Sequence, residues 1–222
     1  DKAWFIPPEK NPRIGVDRQG RRDEVVTFGD HTWHEPTLKV SFPGADDALP
    51  IRDVRLRYAS HEIDHSADGR ETLRIRLDDP VQPFSAWLCL RVEPALDVIE
   101  RWLEVENRGD RPIQVEQLSS GTLHLPAGRW ELLHAAGGWA AEFQSERVRL
   151  PVGTTLLESR SVHTGFVHHP FYLLSFEGGA NESHGTVYFG QLAWSGSFRL
   201  AFEQRPNGAL HVHGGYSPFD FA

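Results

Sequence analysis

Methionine is absent from the 222 residues, and cysteine occurs once. The first absence leaves no initiator, so the chain is expected to be a processed or excised piece of something longer. The second rules out a disulfide framework and fits a reducing compartment. Cys89 itself, inside Ala86-Trp87-Leu88-Cys89-Leu90, reads as a small buried hydrophobe. No apolar run approaches the ~18 residues of a membrane span, and the start lacks the charged-then-apolar order of a signal peptide, so a soluble protein with no membrane partner is expected. A basic stripe is also lacking. With a formal charge of −8, nucleic acid is an unsuitable partner, and neutral or cationic ligands fit better. Lysine is scarce beside arginine, which reflects coding bias more than chemistry. No βαβα alternation, repeat of fixed period or low-complexity tract is present.

What the chain does contain is alternation of period two. Residues Asp1 to Phe28 are rich in proline, glycine and charge, and read as an extended arm with room for one short strand. From Gly29 to Ala222 a single β domain is predicted. Leu38 to Phe42 forms a strand; Val54, Leu56 and Tyr58 alternate with Arg55 and Arg57; Leu73, Ile75 and Leu77 alternate with Arg74 and Arg76, across a turn at Ala67-Asp68-Gly69. Trp87 to Val92, apolar on both faces, reads as a central strand. Ile99 to Pro126 reads as a long hairpin broken at Asn107-Arg108-Gly109-Asp110. Pro94 followed by Leu96, Ile99 and Leu103 also suits the opening of an amphipathic helix, but the β-branched Val98 and Val105 favour strand. Thr122 to Leu125, Trp130 to Leu133, Trp139 to Leu150, Phe171 to Phe176, Thr186 to Trp194, Phe198 to Glu203 and Leu210 to His213 follow, the last two joined by Pro206-Asn207-Gly208. About a dozen short strands at regular spacing argue an all-β fold, a large antiparallel β-sandwich.

The chemistry-bearing patterns are weaker. His61-Glu62-Ile63-Asp64-His65 matches the two-histidine zinc-protease spelling, but that chemistry needs a helix to bring i and i+4 to one face, and here the pattern continues a strand. His163, His168 and His169, like His211 and His213, are metal ligands by residue type; for the last pair an exposed strand position is favoured. No metal or cofactor is expected. Carboxylates are plentiful (Asp30, Glu35, Asp46, Asp47, Glu158), yet none forms a recognisable glycosidase pair, and no nucleophile elbow or phosphate loop is present. Among seven tryptophans, Trp87 and Trp102 read as core, whereas Trp33 lies in a polar loop between His31 and His34, where an indole face can stack on a sugar ring.

Several segments, in order, resemble the amino-terminal domain of the family 36 glycoside hydrolases, the α-galactosidase and raffinose-utilisation group. They are Gly29-Asp30 with Glu35-Pro36; Glu106-Asn107-Arg108-Gly109-Asp110; Leu133-His134-Ala135-Ala136-Gly137-Gly138-Trp139; Leu157-Glu158-Ser159-Arg160 with His169-Pro170-Phe171; Gly185-Thr186-Val187-Tyr188 with Leu192-Ala193-Trp194-Ser195-Gly196; and Gly214-Gly215-Tyr216-Ser217-Pro218-Phe219. The resemblance implies a β-supersandwich of the galactose-mutarotase-like kind, placed ahead of a catalytic (β/α)₈ barrel that this chain lacks. It implies that the parent hydrolyses α-galactosides of the raffinose or melibiose type in the bacterial cytoplasm, that both catalytic aspartates lie in the absent barrel, and that this piece alone is inactive. The implied partners are the sugar, the barrel and further copies of the chain in a homo-oligomer. The family lends a Gly-Asp-aromatic-Arg-x-Pro loop to the sugar pocket; Asp30 matches its aspartate, His34 stands where arginine is usual, and extra residues occupy His31 to Trp33. Asp30, Trp33 and His34 are therefore the implied substrate-binding residues, with a turn-forming aspartate as the structural alternative for Asp30. The motif glycines and Ser159-Arg160 read as structural. A free-standing lectin-like sandwich and a purely structural assembly domain are the competing readings.

Overall fold

The computed structural model describes residues 23–30, 35–44, 49–161, 164 and 167–217. Among them the structure is strand and turn, with one 3₁₀ turn at Phe28–Asp30 and three antiparallel sheets. The chain divides into two compact units, one ending at Glu116 and the other spanning Gln117–Asp220. The expected Asp1 to Phe28 arm and the Trp33 and His34 positions lie largely or wholly outside the described residues.

The first unit holds β1 (Leu38–Ser41), β2 (Arg57–His65), β3 (Glu71–Asp78), β4 (Phe84–Glu93) and β5 (Val98–Asn107). Strands β2 to β5 pair in chain order, and their register puts the alternation to use. Leu73, Leu90 and Arg101 lie side by side, as do Ile75, Leu88 and Leu103, and Leu77, Ala86 and Val105, so one face is largely apolar. The other face carries Arg74, Arg76, Cys89, Glu104 and both tryptophans. Trp87 and Trp102 are thus half-exposed, not core as expected: one residue out of phase with Leu88 and Leu103, they fall on the charged face. There Arg76 lies over Trp87 at 5.5 Å and Arg91 over Trp102 at 5.7 Å, while Trp102 Nε1 donates to Glu104 at 2.8 Å. Cys89 is buried, as expected, and burial pushes its thiol pKa up.

The second unit holds β6 (Gln114–Leu125), β7 (Trp130–Gly138), β8 (Ala141–Arg149), β9 (Gly153–Ser159), β10 (Phe171–Phe176), β11 (Tyr188–Gln191), β12 (Phe198–Gln204) and β13 (Leu210–Tyr216). Strands β6, β13, β12 and β9 lie side by side, and β11, β10, β7 and β8 form the second sheet. Alternation again selects the facing side chains: Phe198, Leu200, Phe202, Leu210 and Val212 from one sheet meet Trp130, Leu132, Tyr172 and Leu174 from the other in one buried cluster.

Two expectations change and one holds. The predicted Ile99 to Pro126 hairpin is not one, because β5 pairs with β4 over ten residue pairs and β6 pairs with β13; the turn is real, but the ladder goes elsewhere. The helical alternative for Pro94 to Leu103 gives way to strand β5. His211 and His213 are 5% and 4% exposed, so that pair is buried, since β13 is an interior strand covered on both faces. The Pro206-Asn207-Gly208 hairpin does form between β12 and β13, with Gly208 at φ 87.

Candidate functional site

Asp30 closes the 3₁₀ turn in the first unit, and its surroundings explain why glycine must precede it. Gly29 donates its N–H to the Val54 carbonyl at 3.1 Å, and a Cβ on Gly29 would lie 2.1 Å from that oxygen. The buried Thr27 hydroxyl donates to the same carbonyl at 2.5 Å. One Asp30 oxygen, Oδ2, accepts from Thr27 N at 2.8 Å and is 2.9 Å from Thr27 Oγ1. The half-buried carboxylate is therefore aimed by the turn, which realises the structural role weighed for it and fixes the direction of its second oxygen. A carboxylate so held is an acceptor for ligand hydroxyls or cationic groups.

Asp53, whose Oδ1 would lie 2.7 Å from a Cβ on Gly29, pairs with Arg55 at 3.2 Å, and other carboxylates of this unit are engaged as well. Glu35 pairs with Lys39 at 3.1 Å, and buried Asp79 accepts the backbone N–H groups of Arg55, Val81 and Gln82 at 2.6, 2.8 and 2.7 Å. His61 and His65 stand on β2, where four residues separate side chains by about 13 Å. His61 bonds Tyr58 at 2.7 Å and His65 bonds Glu71 at 3.0 Å. Among the described residues no group of three histidine, cysteine or acidic side chains is arranged to hold a metal ion.

The motifs quoted from the second unit converge at one end of it. Trp194 meets Tyr216 edge to face at 4.9 Å and donates Nε1 to Ser197 O at 3.1 Å. Ser217 bonds Glu158 at 3.2 Å, and Arg160 pairs with Glu158 at 3.0 Å. Segments far apart in sequence thus form one scaffold, and β9, which the alternation scan passed over, is the strand that supplies Glu158. Its Gly-Thr-Thr opening hides the period, so only the later Leu157 signals burial.

The fold is an antiparallel β domain in which a turn aims the carboxylate of Asp30. The comparisons resolve the class: the chain belongs to glycosyl hydrolase family 36, whose N-terminal domain matches residues 7–222. It is 29% identical to the α-galactosidase C of Emericella nidulans over 96% of this chain and 30% of that protein. It is 26% identical to the α-galactosidase AgaA of Geobacillus stearothermophilus over all of this chain and 31% of that one. The crystal structure of AgaA superposes with a TM-score of 0.80 at 24% identity, covering 89% of this chain and 29% of AgaA, which establishes the shared fold. AgaA variants have been solved with stachyose and with raffinose. The chain therefore spans about three tenths of the length of these relatives.

Proposed function

We propose that this chain frames the sugar pocket of a retaining hydrolase of α-galactosides, of the raffinose or melibiose type, whose two catalytic carboxylates lie in a barrel outside these residues. The family match over residues 7–222 carries the reading, and the aimed Asp30 supplies its contact. Asp30 accepts a hydroxyl of the terminal galactose, with Trp33 as a stacking wall and His34 beside it. The compartment is the bacterial cytoplasm, which suits the buried free thiol of Cys89. The test compares this chain with its full-length parent on a nitrophenyl α-galactoside. Turnover by the parent alone is expected; turnover by the 222 residues would overturn the reading. In the parent, Asp30→Asn keeps an acceptor for Thr27 and removes the charge, so KM is expected to rise about tenfold or more with the fold retained. An unchanged KM would remove Asp30 from the pocket.

The homo-oligomer has a surface to form on. The apolar face of β2 to β5 is buried at Ala86, Leu88 and Leu103 but open at Ile63, Val92 and Ile99, which are 54%, 43% and 65% exposed. Four strands of eight to ten residues carry this face, and its open part around Ile63, Val92 and Ile99 is the area a second copy would cover. A second copy of the chain is its occupant. Ile63→Glu with Ile99→Glu in the parent is expected to lower the assembly state in sedimentation at unchanged circular dichroism; unchanged assembly would exclude this face.

A further inference from the structure

Strands β7 and β8 form a hairpin whose end bears Trp139, 88% exposed, with Ala140 and Phe143 in the left-handed region at φ 58 and 55. Non-glycine residues are strained in that conformation, so other contacts must hold the hairpin end in shape. The chain entering β10 supplies them. Ala136 and His168 form a β-bridge, and His169 N donates to Ala135 O at 3.0 Å. Phe143 packs on His169 at 4.7 Å and on Phe171 at 5.4 Å.

Beneath this strap two imidazoles face each other. His168 meets His134 edge to face, with ring centroids 5.4 Å apart, and His134 is 4% exposed. Nδ1 of each ring is buried without a hydrogen-bond partner. The charged and titratable groups facing His168 are His134 from β7 and Glu146 from β8. Glu146 stands at the solvent margin, 3.9 Å from His134 Nε2 and beyond hydrogen-bond reach. His169 turns the other way, onto Phe143. A proton on His168 is therefore held in a partly buried place, with no acceptor for Nδ1 and a second imidazole against its ring.

We propose that the His168–His134 pair is an acid-released latch, which pins residues 167–170 to the β7–β8 hairpin while His168 is uncharged and lets them go when His168 takes up a proton. Burial first, and His134 second, hold the His168 pKa below the usual imidazole value. A base lowered in this way binds protons better once detached. Attachment is complete above the free-histidine pKa of about 6.5 and is lost as pH falls through and below it. Release removes the packing that supports Phe143 and, with it, the fixed presentation of Trp139. The latch stands on contacts inside the second unit and does not depend on the sugar reading.

Hydrogen-exchange mass spectrometry on the full-length parent tests it, with rates corrected for the intrinsic effect of pH. Between pH 7.5 and 5, protection of peptides covering 134–143 and 167–171 is expected to fall about tenfold or more. Peptides from β4 and β5, which contain no histidine, are expected to hold. His168→Gln is expected to flatten that response and retain protection at pH 5. Equal protection of the wild type at both pH values, or an undiminished loss in a folded His168→Gln variant, would overturn the latch. If that variant does not fold, the NMR titration of His168 in the wild type decides: a midpoint below free histidine supports the latch, and one at or above it refutes it.

Discussion

Trp130→Ala is expected to cost about 3–5 kcal/mol, a large share of the stability of a domain. Trp130 opens β7 and is fully buried. Its indole stacks on Phe176 at 4.3 Å, meets Tyr188 edge to face at 5.6 Å, and donates Nε1 to Pro126 O at 3.1 Å. Truncation therefore opens a cavity among rings that belong to two other strands and leaves the carbonyl that ends β6 without its donor. Those neighbours are held by their own ladders and cannot collapse inward, which puts the cost at the upper part of the range. Trp130→Phe keeps most of the volume but not the hydrogen bond, so about half the loss is expected. Trp139→Ala, a same-type change at 88% exposure, should fall within about 0.5 kcal/mol of the wild type. Urea unfolding followed by circular dichroism reads all three. A Trp130→Ala loss below about 1 kcal/mol would mean that the two sheets of the second unit do not share this core.

The contrast between these two tryptophans shows what the sequence makes legible. Both sit in strand-like surroundings rich in glycine, and only the register separates them: Trp130 shares the inward phase of Leu132 and His134, while Trp139 falls in the turn beyond Gly138. Strand existence follows from alternation, and most strands stand where alternation puts them, β3, β4 and β12 among them. Pairing does not follow. The Asn107 to Asp110 break looks like a hairpin turn because turn chemistry is local, whereas the partner of β6 is β13, nearly ninety residues on, chosen by which faces must be covered. Phase errors have the same origin. Trp87 and Trp102 carry apolar bodies that suit a core, yet their neighbours Leu88 and Leu103 take it, leaving the indoles beneath Arg76 and Arg91. Asp30 is legible as a position through Gly29, and the Thr27-x-x-Asp30 spacing that aims it is local too, but the Val54 carbonyl that anchors Gly29 and Thr27 has no signature there. The His168–His134 pair was equally hidden, since thirty-four positions and a sheet register separate residues that touch.

Gly215→Ala is expected to cost about 3 kcal/mol. Gly215 follows the register shift after His213, where β13 bulges against β6. A Cβ there would lie 2.3 Å from the Leu118 carbonyl oxygen and 2.9 Å from Ser119 Cα, both backbone, so relief requires the two strands to part. At Gly214 the nearest atom, at 2.3 Å, is the end of the Leu200 side chain, which can rotate, but the Arg199 carbonyl oxygen at 2.9 Å cannot, so a loss only somewhat smaller is expected. At Gly138 nothing lies within 4 Å, and alanine should be neutral to about 0.5 kcal/mol. The order of urea midpoints is the measurement, and a Gly215→Ala variant as stable as Gly138→Ala would mean that β13 does not approach β6 this closely. The effect matters beyond stability because Gly215 is followed by Tyr216 and Ser217, which hold Trp194 and Glu158. Parting β13 from β6 displaces those contacts together, so the same variant should also lose near-ultraviolet dichroism from Trp194. The close contacts of the two glycines, Gly215 with the backbone of β6 and Gly214 with Leu200, thereby give this motif a structural reason.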